Sequence, residues 1–134
     1  MPYNIAEGFP RLMPGLRYGD VEAALRWLHE AFGLNEHLRW TDGDGTVRHA
    51  EMRIGNAFIE LSDGHDAGLL VFVEDVDAHF ERARAAGATI TSEPEDKPWG
   101  LRQYAAKDPE GNTWGFAQHV RDVDPSDWGA EVKT

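Results

Sequence analysis

HAEMRIGNAFIEL, residues 49–61, is the stretch on which the fold turns. Gly55-Asn56 separates two runs of alternating character, the pattern of a hairpin with a two-residue loop. Such a loop sets the register: Ile54 faces Ala57, Met52 faces Ile59 and Ala50 faces Leu61. All six are apolar, so that side of the hairpin is a core face. By strand alternation the other side carries Arg53 opposite Phe58, Glu51 opposite Glu60 and His49 opposite Ser62. Two carboxylates that meet across a ladder cost stability unless a cation, a shared proton or water relieves them. Core packing does not explain such a face.

Upstream of the hairpin, FPRLMPGLRY reads as a short strand whose proline suits an edge or a strand start. Asp20 then caps a helix with Val21, Leu25, Leu28 and Phe32 on one side, and Gly33 ends it. EHLRWTD is a strand, turned by GDG into the hairpin. Downstream, LLVFVE is a strand, and Asp75 caps a second helix bearing Val76, Phe80 and Ala83, closed by Gly87. ATITSE, LRQYAAK and NTWGFAQHV, the last two joined by DPEG, supply three more strands. The result is βαβββ twice, an α+β fold within a single domain spanning residues 1–134. The first module occupies 11–62, the second 69–119, and 120–134 form a polar, proline-broken tail. Disorder of that tail and docking of Trp128 on a partner subunit are both open. The halves also match in sequence, RYGDVEAAL at 17–25 against FVEDVDAHF at 72–80, a shift of 55 residues. That shift carries Glu60 to Gly115 and Met13 to Gly68. Each half is expected to be a curved mixed sheet with its helix on the convex face. The concave face then needs the other half, a second subunit or a ligand to cover it.

The chain has 134 residues, enough for one domain with a real core. Apolar residues make up 41% and charged residues 28%, a globular profile rather than a disordered one. Thirteen Lys and Arg against twenty-four Asp and Glu leave a net charge of -11, which disfavours nucleic acid and anionic membranes as partners. The absence of cysteine excludes disulfides, thiol catalysis and thiolate metal sites. MPYNIAEGFP lacks a basic and an apolar leader segment, and no long apolar run occurs, so a cytoplasmic location is expected.

Three segments, GLRYGDVEAALRWLHEAFGL, FVEDVDAHFERARAAGATI and PWGLRQYAAKDPEGNTWGFAQH, resemble the vicinal oxygen chelate superfamily. That group contains glyoxalase I, bleomycin-resistance proteins and extradiol dioxygenases, and the last segment is similar to its bleomycin-resistance-like branch. The likeness covers about residues 10–120. It implies paired βαβββ modules around a cleft, usually in a homodimer and often with modules paired across subunits. Metal-dependent members place ligands on the first and fourth strands of each module. Those places fall here on Met13, Glu60, Gly68 and Gly115, and only Glu60 can bind a hard metal, whereas useful affinity takes about three or four protein ligands. The resemblance therefore implies no metal of the usual kind and no other cofactor.

A four-residue DPEG turn pairs Tyr104 with Gly115 and Arg102 with Ala117. Because Gly115 matches a cleft-facing place of the family, Arg102 and Tyr104 are expected in the cavity, with Phe72 beside them. The expected wall is His49, Glu51, Arg53, Phe58, Glu60, Phe72, Arg102 and Tyr104, with Trp99 at the rim and Gly115 leaving space. It suits a planar or cationic small molecule stacked on Trp99, Tyr104 or Phe58 with its positive group near Glu51 and Glu60. Arg53 and Arg102 neutralising the two glutamates as an internal ion network is the alternative use of the same residues. His49 is either a hydrogen-bonding filler or a general base, able with Glu51 and Glu60 to rebuild a displaced metal site. His29 and His79 are placed on polar helix sides, His37 in an edge-like strand and His65 in a loop. His119 is placed near the cleft mouth, and Trp27, Trp114 and Phe116 in the core. The expectation is a metal-free binding protein that sequesters a small aromatic ligand. The rival is a lyase, isomerase or oxygenase using Glu60, Glu51 and His49.

Overall fold

The structure is a computed structural model that describes residues 11–64 and 68–133. The leader reading of residues 1–10 and the loop placement of His65 lie outside the described residues. The elements are β1 (Leu12–Arg17), α1 (Val21–Phe32), β2 (Asn35–Thr41), β3 (Val47–Ile54), β4 (Ala57–Ser62), β5 (Leu69–Phe72), α2 (Val76–Ala85), β6 (Thr89–Asp96), β7 (Leu101–Lys107) and β8 (Thr113–His119). A 3-10 turn (Pro125–Trp128) and a short β9 (Ala130–Val132) follow. The strands form one open mixed sheet in the order β6-β7-β8-β5-β1-β4-β3-β2-β9. Its two βαβββ halves meet where β1 runs antiparallel to β5, with Met13 beside Leu70.

The sequence repeat is visible as ladder geometry. Gly15 pairs with Glu60 and Leu16 with Leu61 in the first half; Leu70 pairs with Gly115 and Val71 with Phe116 in the second, each residue displaced by the same 55 positions. Asp20 and Asp75 cap their helices, their carboxylates accepting from the backbone N–H of Ala23 and Ala78 at 2.9 and 3.0 Å. Beneath α1, Val21, Leu25 and Leu28 pack on Val47, Ala50, Met52 and Leu61, the apolar face of the hairpin. Each such side chain contributes about 1.5–3 kcal/mol when fully buried. Phe32 and Trp27 depart from the expected core: they are 62% and 55% exposed and lean on each other edge-to-face. Gly33 adopts φ +75, and the N–H of Leu34 reaches back to the Leu28 carbonyl. That closure folds Leu34 onto the sheet in the place assigned to Phe32.

The hairpin register is as read, with Glu51 directly opposite Glu60. The register of the second hairpin is not. Tyr104 pairs with Phe116, Arg102 with Gln118, Gln103 with Ala117 and Ala105 with Gly115. The loop between Lys107 and Thr113 holds five residues rather than four. The Asp108 carboxylate organises it by accepting from the backbone N–H groups of Glu110 and Asn112 and from the Trp114 indole. A slip of one residue turns every side chain to the other face. Tyr104 and Ala106 therefore pack under α2 with Val76, Phe80 and Phe116, and Leu101 points into the cleft side with Met13, Phe58, Phe72 and Ala117.

His37 is also moved. A bulge between Glu36 and Leu38 shifts the β2–β3 register at this residue, and it is buried with its ring edge-on to Phe58. Its strand is not an edge, because β9 pairs along β2. His79 faces the sheet rather than a polar helix side, its Nδ1 meeting the Tyr104 hydroxyl. The tail docks on its own chain, running from β8 across to the far side of the first module.

Gly100 ties the start of that crossing down. It has φ +90, its carbonyl accepts from Val120 and Arg121, and a Cβ there would lie 2.3 Å from the Arg121 carbonyl oxygen. Gly100→Ala is expected to cost about 1–3 kcal/mol through strain alone. Urea unfolding measures it, and an unchanged midpoint would mean that the crossing is not held here. No helix among the described residues is long and apolar enough to cross a membrane.

Candidate functional site

Between the two modules of the one chain lies a cavity of about 470 Å³. Trp40, Trp99 and Trp128 form much of its wall, Leu70, Pro98, Leu101 and Gln103 complete it, and His49 and Glu60 stand at its polar end. Each aromatic arrives by a different route. Trp40 of β2 pairs directly with His49 of β3 and so shares its face. Trp99 precedes β7 and is fixed by its indole N–H, which donates to Gln103 Oε1 at 2.6 Å. Trp128 comes with the tail and meets Trp99 edge-on, ring centroids 5.8 Å apart. A smaller recess of about 280 Å³ shares Glu60, Leu70, Trp99 and Gln103 with the main cavity.

Of the nine residues expected on the wall, His49, Glu60 and Trp99 line the cavity. Glu51 lies behind them, 1% exposed. Phe58 and Phe72 are on the concave side but packed between the modules, at 8% and 0% exposure. Arg53 sits opposite Phe58, outside the cavity lining. Arg102 and Tyr104 are corrections, both caused by the one-residue slip. The Arg102 guanidinium is bound to Asp77 and Asp96 on the outer face, and Tyr104 stacks on Phe116 beneath α2. Gly115 borders the smaller recess, where Leu70 Cδ1 lies 3.2 Å from where a Cβ would be. Trp40, Leu70, Pro98, Leu101, Gln103 and Trp128 are lining residues that the sequence reading does not place there. The true second register would have exposed Leu101 and Gln103, and pairing β2 to His49 would have exposed Trp40. No sequence signal places Trp128.

The polar end is three groups deep. One donor atom from each of His49, Glu51 and Glu60 lies within 4.8 Å of the others. Burial holds the His49 imidazole down to about 4, so the ring is neutral at pH 7. Burial pushes the Glu60 carboxyl up to about 7. Glu51 is raised well above the carboxylate range, first by burial and then by the charge of Glu60. Burial thus disfavours charge on both opposed carboxyls, and no arginine enters the causes of either shift. The four places where metal-dependent relatives of the resembled family carry ligands do not fit an ion. Met13 is buried in the apolar cluster between the modules, and Gly68 and Gly115 offer no side-chain donor.

Known proteins resemble this chain in sequence, and one structure of low identity shares its fold. A family model described as the Glyoxalase/Bleomycin resistance protein/Dioxygenase superfamily matches residues 8–116. Mb0911c of Mycobacterium bovis is 34% identical over 131 residues, covering 85% of this chain and 86% of its own. The crystal structure of TioX from Micromonospora sp. ML1 is 35% identical, covers 84% of this chain and 98% of that one, and has a TM-score of 0.36. A glyoxalase/bleomycin resistance protein/dioxygenase superfamily member from Vibrio splendidus 12B01 shares the fold at 17% identity and a TM-score of 0.65, covering 81% and 97% of the two chains.

Proposed function

The chain belongs to the glyoxalase/bleomycin resistance protein/dioxygenase superfamily, and from that premise we propose that it captures a planar aromatic small molecule in its cleft. The observation that carries this reading is the convergence of three tryptophans, from β2, the segment before β7 and the tail, on one cavity of about 470 Å³. Such a volume suits a drug-sized ligand, and an apolar wall with a few polar groups at one end is the usual composition of a binding pocket. The role is sequestration of the bleomycin-resistance type, with no bond made or broken. Charge is a lesser contributor than the opposed glutamates alone imply, because burial raises Glu51 well above the carboxylate range and Glu60 to about 7. A ligand donor or acceptor can meet Glu60 equally well.

Titration with planar aromatics, followed by tryptophan fluorescence, tests the proposal. A responding compound should lose about tenfold in affinity in Trp128→Ala, the equivalent of one aromatic contact of ~1.4 kcal/mol. Its affinity should change little with salt, since no fixed charge pair dominates. Indifference across a broad panel, or undiminished affinity in Trp128→Ala, would remove the proposal. A second reading, an enzyme with Glu60 as acid and base, is favoured by the position of that carboxyl's pKa at about 7 beside the neutral His49. Incubating a bound compound in heavy water and weighing it by mass spectrometry separates the two, since deuterium entering a C–H bond assigns catalysis.

A further inference from the structure

We propose that His49, Glu51 and Glu60 form a divalent transition-metal site at the polar end of the cleft, in which Glu60 keeps one of the superfamily's ligand places and His49 and Glu51 come from the neighbouring strand β3. The inference goes beyond the ligand-capture reading and does not depend on it.

The ladder places the donors. His49 and Glu51 are two residues apart on β3 and so project from the same side, and Glu60 faces Glu51 across the hairpin. Donor atoms that lie within 4.8 Å of one another need only small rotations to meet an ion, for which bonds of about 2.0–2.2 Å put donors roughly 3–4 Å apart. The glutamates have the rotatable bonds for that adjustment.

An independent observation points to an absent partner. Glu51 Oε2 is buried and is the one such side-chain atom without a hydrogen-bond partner among the described residues. An unpaired buried carboxyl oxygen is costly, and interior polar atoms are nearly always satisfied. Of the two arginines expected to neutralise the glutamates, Arg102 is committed to Asp77 and Asp96 on the opposite face. A metal ion would give Oε2 its partner and relieve the repulsion between the facing carboxylates.

The donor chemistry sets the class of ion. One imidazole nitrogen with two carboxylates balances a divalent charge, and without thiolate it favours ions such as Zn, Mn, Fe(II), Co or Ni over soft monovalent copper. His49 and Glu60 line the cavity, so the ion would keep an open side toward the bound molecule. Three protein donors leave room for water or for an oxygen of a cleft ligand.

Calorimetric titration of chelator-stripped full-length protein with Zn, Mn, Co and Ni chlorides at pH 7.5 tests the site without any aromatic compound present. At least one ion should bind one per chain, with uptake coupled to proton release read by repeating the titration in buffers of different ionisation enthalpy. Glu51→Gln, His49→Gln and Glu60→Gln should each weaken that binding at least a hundredfold, and Glu93→Gln, on the exposed face of β6, should leave it unchanged. Circular dichroism and urea unfolding establish that each variant is folded. If a variant does not fold, the remaining two and the proton release decide. Absence of binding below millimolar, or stoichiometric binding that survives Glu51→Gln and His49→Gln, overturns the site. Either failure leaves the tryptophan titration, and the ligand reading it tests, untouched.

Discussion

Tyr104→Ala should lower folding stability by about 3–5 kcal/mol, the cost of removing a fully buried aromatic side chain. Tyr104 is 1% exposed, stacks on Phe116 with centroids 5.1 Å apart and meets Phe80 edge-on, so nothing small can refill its place. Tyr104→Phe keeps the ring and loses only the hydroxyl contact with His79, a change of about 1 kcal/mol. Tyr104→Phe should also leave the affinity of any aromatic compound as it was, because the ring lies on the helix side of the sheet. The comparison is decisive for the second hairpin. Were Tyr104 opposite Gly115, the ring would face the cleft, and Tyr104→Phe would perturb capture while Tyr104→Ala cost little stability. Urea unfolding and fluorescence titration of the two variants separate these outcomes.

That hairpin marks the boundary of what could be read from the sequence. In the first, Gly55-Asn56 admits one tight loop, so the register and both faces follow, and the structure has every pair in place. In the second, DPEGN offers loops of four or five residues that differ by the grip of Asp108, and periodicity cannot choose between them. The error moved Arg102 and Tyr104 into the cleft and Leu101 and Gln103 out of it. Bulges had the same effect in β2, where a strictly alternating strand hides His37 and leaves Trp40 unassigned. The tail is a different case. Its sequence is polar and broken by proline, and its docking depends on β9 completing the edge of β2, a long-range contact without local signature.

The repeat was legible because it is written twice. A shift of 55 residues matches Asp20 with Asp75 and also carries the Gly15–Glu60 pair onto Leu70–Gly115. Charge was legible only as position. The sequence puts Glu51 opposite Glu60, but their protonation is set by burial, which needs the covering module and tail.

In metal-stripped protein, Glu51→Gln should gain stability over the parent chain as pH rises from 4.5 to 6.5, at a rate of at most about 1.4 kcal/mol per pH unit. A carboxyl whose pKa is raised on folding contributes most below its unfolded value of 4.5, and the contribution is lost as pH rises toward the folded value. Glu51 and Glu60 both behave so, each at about 1.4 kcal/mol per pH unit at most, and the partial exposure of Glu60 reduces its share. His49 has the opposite sign: lowered from 6.5 to about 4, it contributes fully above pH 6.5 and loses that contribution as pH falls. Between 4.5 and 6.5 the histidine offsets one carboxyl and leaves the other uncompensated, so the parent chain weakens with rising pH while Glu51→Gln stays nearly level. Asp42 and Asp108, whose lowered values make them titrate below this window, drop out of the difference between the two proteins. Urea midpoints at pH 4.5, 5.5 and 6.5 in a chelating buffer give the result. A constant difference across that range would mean that Glu51 ionises as it does in water. The carboxyl would then be neither buried nor in want of a partner, and the polar end of the cleft would lose the feature that distinguishes it from an ordinary surface.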